Sequence, residues 1–242
     1  MAVTLSRYGN YRRIMALTLY IHPLASFCHK ALIALYENQT AFEPQIVDLA
    51  DPDSSAALLE KWPVGKIPVL HDGTSGQTIP ETSIIIEYLQ VHCPGPVRLL
   101  PDDPDQLLQV RLWDRFYDLY VSVPVQKIVT DKIRPSGAND NYGVAAARST
   151  LDLAYKMIEA QMQAKQWATG DDFTMADCAA LPALFYAGIV HPFADDQHQL
   201  SAYFERLLAR PSVKRVLSEA QPYFWMFPYR DAMPKRFLEA LA

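Results

Sequence analysis

Residues 93–105 read CPGPVRLLPDDPD, with four prolines and a glycine in thirteen positions. Proline fixes φ and removes a backbone donor, so neither a helix interior nor a central strand runs through such a stretch. The spacing of apolar residues also changes across it. Before it, short β-prone runs are interleaved with helical spacing; after it, only the i, i+3, i+4 recurrence of helices remains. A chain with such a joint builds two packing units around a linker, and 242 residues suffice for two small domains.

In the first unit, residues 17–21 (LTLYI) form a strand-like run closed by His22-Pro23. Residues 26–36 (SFCHKALIALY) then set Phe27, Ala31, Ala34 and Leu35 at helical spacing. A second strand is expected around 45–47, and a short helix at 54–62 with Leu58, Leu59 and Trp62 on one side. Gly65-Lys66-Ile67-Pro68-Val69-Leu70 leads into a polar hairpin at 71–78, whose Asp72-Gly73 is a turn dipeptide, so two antiparallel strands are expected there. Pro80-Glu81-Thr82-Ser83 opens a helix carrying Ile84, Ile85, Tyr88 and Leu89. The order is βαβαββα.

The second unit reads as helices at 106–132, 143–164, 174–188, 200–209 and 212–220. The chain therefore divides into an N-terminal extension (1–15) expected to be flexible, an α/β domain (16–92), the linker (93–105) and an all-α domain (106–242).

Charge excludes one class of partner. The chain has 22 Lys and Arg against 27 Asp and Glu, a net −5, with a pI near 5.7, which lacks the basic footprint of a nucleic-acid binder. The longest apolar stretch, around 179–189, contains Pro182 and Gly188 and is shorter than the roughly 20 residues of a membrane helix. Residues 1–16 hold no apolar core of a secretory signal. Cys28, Cys93 and Cys178 are far apart with no C-x-x-C pair, so no disulfide framework or cysteine zinc site is expected, and a reducing, cytoplasmic setting follows. The six histidines form no H-E-x-x-H, and no phosphate-cradling glycine motif occurs, so neither a metal nor a nucleotide cofactor is expected.

Three segments carry a family resemblance: YIHPLASFCHK from Tyr20 to Lys30, VGKIPVL from Val64 to Leu70, and PETSIIIEYL from Pro80 to Leu89. In this succession, followed by an all-α half, they resemble the cytosolic glutathione transferases, bacterial types with a serine or cysteine in the active-site region. The resemblance covers nearly the whole chain from Ala16 onward. It implies a thioredoxin-like N-terminal domain, an all-α C-terminal domain, glutathione as co-substrate and a homodimer.

The chemistry accounts for those residue types. A free thiol titrates near 8.5, so bringing glutathione to about 6.5 requires roughly 2.7 kcal/mol of preferential stabilisation of the anion. A helix N-terminus and a nearby hydroxyl supply part of that. The resemblance gives this catalytic role to Ser26, a residue type that also serves simply as a helix cap. Cys28 is the rival, either a reactive thiol or a buried small hydrophobe. The position before Ser26, a serine in zeta-type relatives, is Ala25 here.

By the same resemblance the Ile67–Pro68 bond is cis and the Ile67 backbone pairs with the cysteinyl part of glutathione. Glu81 and Thr82, at a helix start, meet its zwitterionic γ-glutamyl end. Lys66 meets the glycine carboxylate or is merely solvated. Trp113, Phe116, Tyr117 and Tyr120 are candidate walls of an electrophile pocket, with a later cluster of Tyr223, Phe224, Trp225, Phe227 and Tyr229, although aromatics at this spacing are more often core. Thr174-Met175-Ala176-Asp177 is a capping-box pattern, and Asp177 is read as structural.

Two further functions share the fold. One is glutathione-dependent thiol-disulfide reduction through Cys28. The other is a binding module without catalysis.

Overall fold

The computed structural model describes residues 17–48 and 51–239; the N-terminal extension expected at 1–15 lies outside them. The first half comprises β1 (Leu17–Ile21), α1 (Ser26–Glu37), β2 (Glu43–Ile46), α2 (Pro52–Lys61), β3 (Val69–Asp72), β4 (Gln77–Pro80) and α3 (Thr82–His92). The strands lie in the order β2-β1-β3-β4, with β1 parallel to β2 and antiparallel to β3, and β3 antiparallel to β4. The expected βαβαββα order is present. The second strand begins earlier than the 45–47 segment and contains Pro44, which an exposed edge tolerates because its missing N–H faces no partner.

After Cys93 the next helix begins at Pro104, at the first helical position behind an Asp103 cap that accepts from the Gln106 N–H at 2.9 Å. The second half is α4 (Pro104–Phe116), a π-helical turn (Tyr117–Ser122), α5 (Val123–Lys132), α6 (Asn141–Gln161), α7 (Met175–Val190), α8 (His198–Ala209), α9 (Pro211–Ala220) and α10 (Lys235–Leu238), with short 3-10 turns between the last two. The single helix expected at 106–132 is thus interrupted. Pro124 explains why: it has no N–H to give to Tyr120, and its ring would crowd that carbonyl. The Val123 N–H reaches back five residues to Asp118, absorbing one extra residue as a π turn.

α1 lies where the two halves meet. Its residues from Cys28 to Leu35 are all buried, and one continuous core joins β1, α1 and α3 to α4, α6 and α7. α7 is buried almost all round, as expected of the central helix of such a domain. Tyr186 on α7 donates to the Leu24 carbonyl at 2.6 Å, so the helical half holds the loop that leads into α1.

Asp177 closes the capping box at the start of α7. Its carboxylate accepts from the Thr174 N–H (2.8 Å) and hydroxyl (3.0 Å), the Ala168 N–H (2.8 Å) and the Tyr203 hydroxyl (2.7 Å), with no exposed surface. Replacing it strands several buried donors, so Asp177→Ala is expected to lower stability by roughly 3 kcal/mol or more, read from urea unfolding midpoints. Asp72, at the β3–β4 turn, accepts from the Tyr88 hydroxyl (2.7 Å), the Thr74 N–H (2.8 Å) and the Ser75 hydroxyl (3.1 Å). The Tyr88 hydrogen bond leads in pulling its carboxyl down to about 2. A depressed folded value means that this stabilisation, of order 1 kcal/mol after screening, is complete above about pH 4 and is lost as pH falls toward 2. The stability gap between the parent chain and Asp72→Asn should therefore close over that acidic range.

Candidate functional site

Ser26 opens α1 behind Ala25, whose side chain offers no cap. The helix's own ladder begins with the Cys28 and His29 N–H groups on the Ala25 carbonyl, at 2.9 and 3.2 Å, leaving the Ser26 and Phe27 N–H groups ahead of it. The positive end of the α1 dipole therefore lies at Ser26 and Phe27. His29 donates through Nε2 to the Pro23 carbonyl at 2.5 Å and steadies the preceding loop; burial pushes its pKa down to about 4, so it stays neutral.

Cys28 is fully enclosed, and burial pushes its thiol up to about 12. Cys178 is also buried and raised by burial, and Cys93 is half-buried.

The Ile67–Pro68 peptide is cis, the geometry that the resemblance implies. Beside it, Glu81 has φ +66°, the left-handed region, where a non-glycine residue costs of order 1 kcal/mol. Such a conformation marks a position held by its surroundings, here the step from β4 into α3. Thr82 follows as the first residue of α3 and is buried.

These pieces converge on two neighbouring cavities. The first, about 180 Å³, is lined by Phe27, Lys66, Ile67, Pro68, Glu81 and Thr82, with Trp62 and the α4–α5 residues Arg115, Asp118, Leu119, Val123 and Gln126. Its walls carry two cations and two carboxylates. The second, about 320 Å³, is mainly apolar: Leu24, Val125, Val129, Ile133, Pro182, Ala183, Tyr186, Met226, Phe227 and Pro228, with Ser26, Ser122, Gln126 and Thr130. Gln126 borders both, and Ser26 and Phe27 divide between them.

Beneath the first cavity lies a buried ionic cluster. Lys30, 1% exposed, places its Nζ 2.7 Å from Asp114, 2.9 Å from Asp118 and 3.0 Å from the Ser83 hydroxyl, which itself donates to Asp114 at 2.6 Å. Burial raises the Asp118 carboxyl against the pull of Lys30, and Arg115 approaches it at 3.4 Å. Among the described residues no cluster of His, Cys, Asp and Glu is arranged to hold a metal ion, and no helix is long and apolar enough to cross a membrane.

The structure thus brings Lys66, Ile67, Pro68, Glu81 and Thr82 around one cavity and sets Ser26 on the adjoining one. It does not bring the four α4-region aromatics there. Trp113, Phe116 and Tyr117 are buried in the core, their rings packed against one another in tilted and edge-to-face contacts, and Tyr120 is exposed outside both cavities. The pocket assignment is corrected accordingly: α4 and the π turn direct Trp113, Phe116 and Tyr117 into the interior and Tyr120 to the surface, and the apolar walls come from α5, α7 and the 226–228 segment. Of the later cluster, Phe227 lines the pocket and Phe224 is core. Pro124 was the available signal that residues beyond it, such as Val125 and Val129, face a different way from those before it.

The glutathione S-transferase N-terminal domain matches residues 19–96, and the C-terminal domain matches residues 116–211. The chain is 24% identical over 190 residues to glutathione S-transferase GstB of Escherichia coli K12, covering 78% of this chain and 91% of that protein. A glutathione S-transferase from Rhodospirillum rubrum superposes with a TM-score of 0.76 at 25% identity, covering 93% of this chain and 99% of that one. One from Methylobacillus flagellatus, solved with glutathione bound, gives 0.76 at 23% identity, covering 83% and 98%. The two domain matches, in the order of the α/β and helical halves, establish that the chain belongs to the glutathione S-transferase family.

Proposed function

We propose that this protein is a glutathione transferase that activates the thiol of glutathione for attack on hydrophobic electrophiles. The observation that carries this is the position of Ser26, on an uncapped helix N-terminus at the seam between a polar cavity and an apolar one. Glutathione occupies the polar cavity. Its zwitterionic end meets Glu81, Thr82 and the first N–H groups of α3, its cysteinyl part lies along Ile67, and Lys66 meets the glycine carboxylate. The sulfur then lies at the start of α1, where the Ser26 hydroxyl and the Ser26 and Phe27 N–H groups favour the thiolate.

The electrophile enters the apolar cavity, and the thiolate attacks its electrophilic carbon. Glutathione serves as co-substrate, with no resident cofactor. The same reading includes a homodimer. α3 and α4, tied by Arg111 to Glu87 at 2.7 Å, together expose Ile84, Val91, Leu108 and Leu112, the kind of apolar face that a second copy covers. It also includes a reducing, cytoplasmic setting and a role in detoxification. The enclosure of Cys28 weighs against the disulfide-reductase alternative, because a nucleophilic cysteine must be exposed and ionised.

The test is glutathione conjugation of an aryl halide, with retention on immobilised glutathione as the binding control. Ser26→Ala is expected to lower conjugation about 100-fold while leaving glutathione affinity within a few-fold, the pattern of a lost donor to a developing anion. A folded, unmodified protein that neither conjugates nor binds glutathione refutes the proposal. For the thiols, native alkylation by iodoacetamide followed by mass spectrometry should label Cys93 before Cys28 and Cys178; fast labelling of Cys28 would revive the reductase reading.

A further inference from the structure

We propose that Lys30 is a positioning residue for glutathione binding, acting through Asp118; this rests on the glutathione reading above. The transferase chemistry at Ser26 does not by itself require a lysine in the middle of α1. At 1% exposure, a lysine there loses its hydration and is retained only with full pairing. Its partners come from three elements: Ser83 from α3, Asp114 from α4 and Asp118 from the π turn.

Two of those partners adjoin the polar cavity. Asp118 lines it directly, and Ser83 follows Thr82, which lines it too. The cluster therefore sets three things together: the helix that carries Ser26, the helix start that carries Glu81 and Thr82, and a carboxylate on the opposite wall. Lys30 and Arg115 both engage Oδ2 of Asp118. This fixes the carboxylate so that it can take a hydrogen bond from the ammonium group of an amino-acid end bound between it and Glu81.

Asp114 and Asp118 stand one helical turn apart, and without the ammonium between them their charges oppose each other in a dry setting. One carboxyl then takes up a proton, and the cavity loses negative charge where the ligand presents its cation. Lys30 thus acts on binding of the γ-glutamyl end, remote from the sulfur, and its removal should change the KM for glutathione far more than kcat.

Three variants of the full chain test this by calorimetric titration with glutathione and by conjugation kinetics. Lys30→Met should weaken glutathione binding roughly tenfold or more, with kcat at saturating glutathione within about threefold of the parent. Lys30→Met combined with Asp114→Asn removes the opposing carboxylate and should regain most of that affinity, which a lysine serving only to fill space would not allow. Asp118→Asn leaves Lys30 and Asp114 as a balanced pair and keeps the proposal testable if Lys30→Met fails to fold; it should also weaken glutathione roughly tenfold through KM. Unchanged affinity in Asp118→Asn, or a fall in kcat in Lys30→Met with no recovery in the double variant, overturns the inference. Absence of glutathione binding by the parent chain overturns the transferase reading as well, whereas binding by the parent with an unaffected Asp118→Asn overturns this inference alone.

Discussion

The ion cluster around Lys30 is the interaction that the arrangement of the site depends on. α1 is packed on one side by the sheet and on the other by the helical half, so its interior positions are apolar except at His29 and Lys30. His29 remains neutral and donates within its own loop. Lys30 instead draws two carboxylates from the second half, Asp114 on α4 and Asp118 on the π turn that continues it, which gives the junction a directional contact that oily packing alone lacks. A second set of bonds secures the far end of the same helix: Glu37 takes a two-pronged hydrogen bond from Arg210, at 2.8 and 2.5 Å, and one from Ser212. The helix whose first turn carries Ser26 is therefore held at its middle and at its end by the domain it faces.

The two cavities differ as their walls do. The polar one lies where the starts of α1 and α3 meet the left-handed Glu81, and its walls carry the charged side chains of Lys66, Glu81, Arg115 and Asp118. The apolar one is made from the faces of α5 and α7 and the 226–228 segment, and contains no charged side chain.

Much of the α/β half was legible because its signals are local. LTLYI, the Asp72-Gly73 turn and the Pro80–Ser83 helix start each announce one element within a few residues, and Ile67-Pro68, Glu81 and Thr82 belong to such short motifs. The apolar pocket was not legible in the same way. Whether Phe116 or Val125 faces a ligand depends on rotation about a long helix, and the π turn changes that rotation midway. Lys30 and Asp118 lie 88 positions apart and nothing in the spacing of either one announces the other. Asp177 could be read because its capping partner Thr174 lies within a single turn, whereas its bond to Tyr203, 26 positions away, could not.

The π turn has a consequence for how such a chain can vary. Each residue of an α-helix advances the next by about 100°, but the turn from Tyr117 to Ser122 holds one residue more than α geometry needs, so loss of one position there would restore an ordinary α turn and leave the orientation of α5 against α4 unchanged. Gln126, Val129 and Thr130 would still border the cavities they line. The turn is therefore the one place in the run from α4 to α5 where the chain can shed a residue without re-aiming the helix that follows.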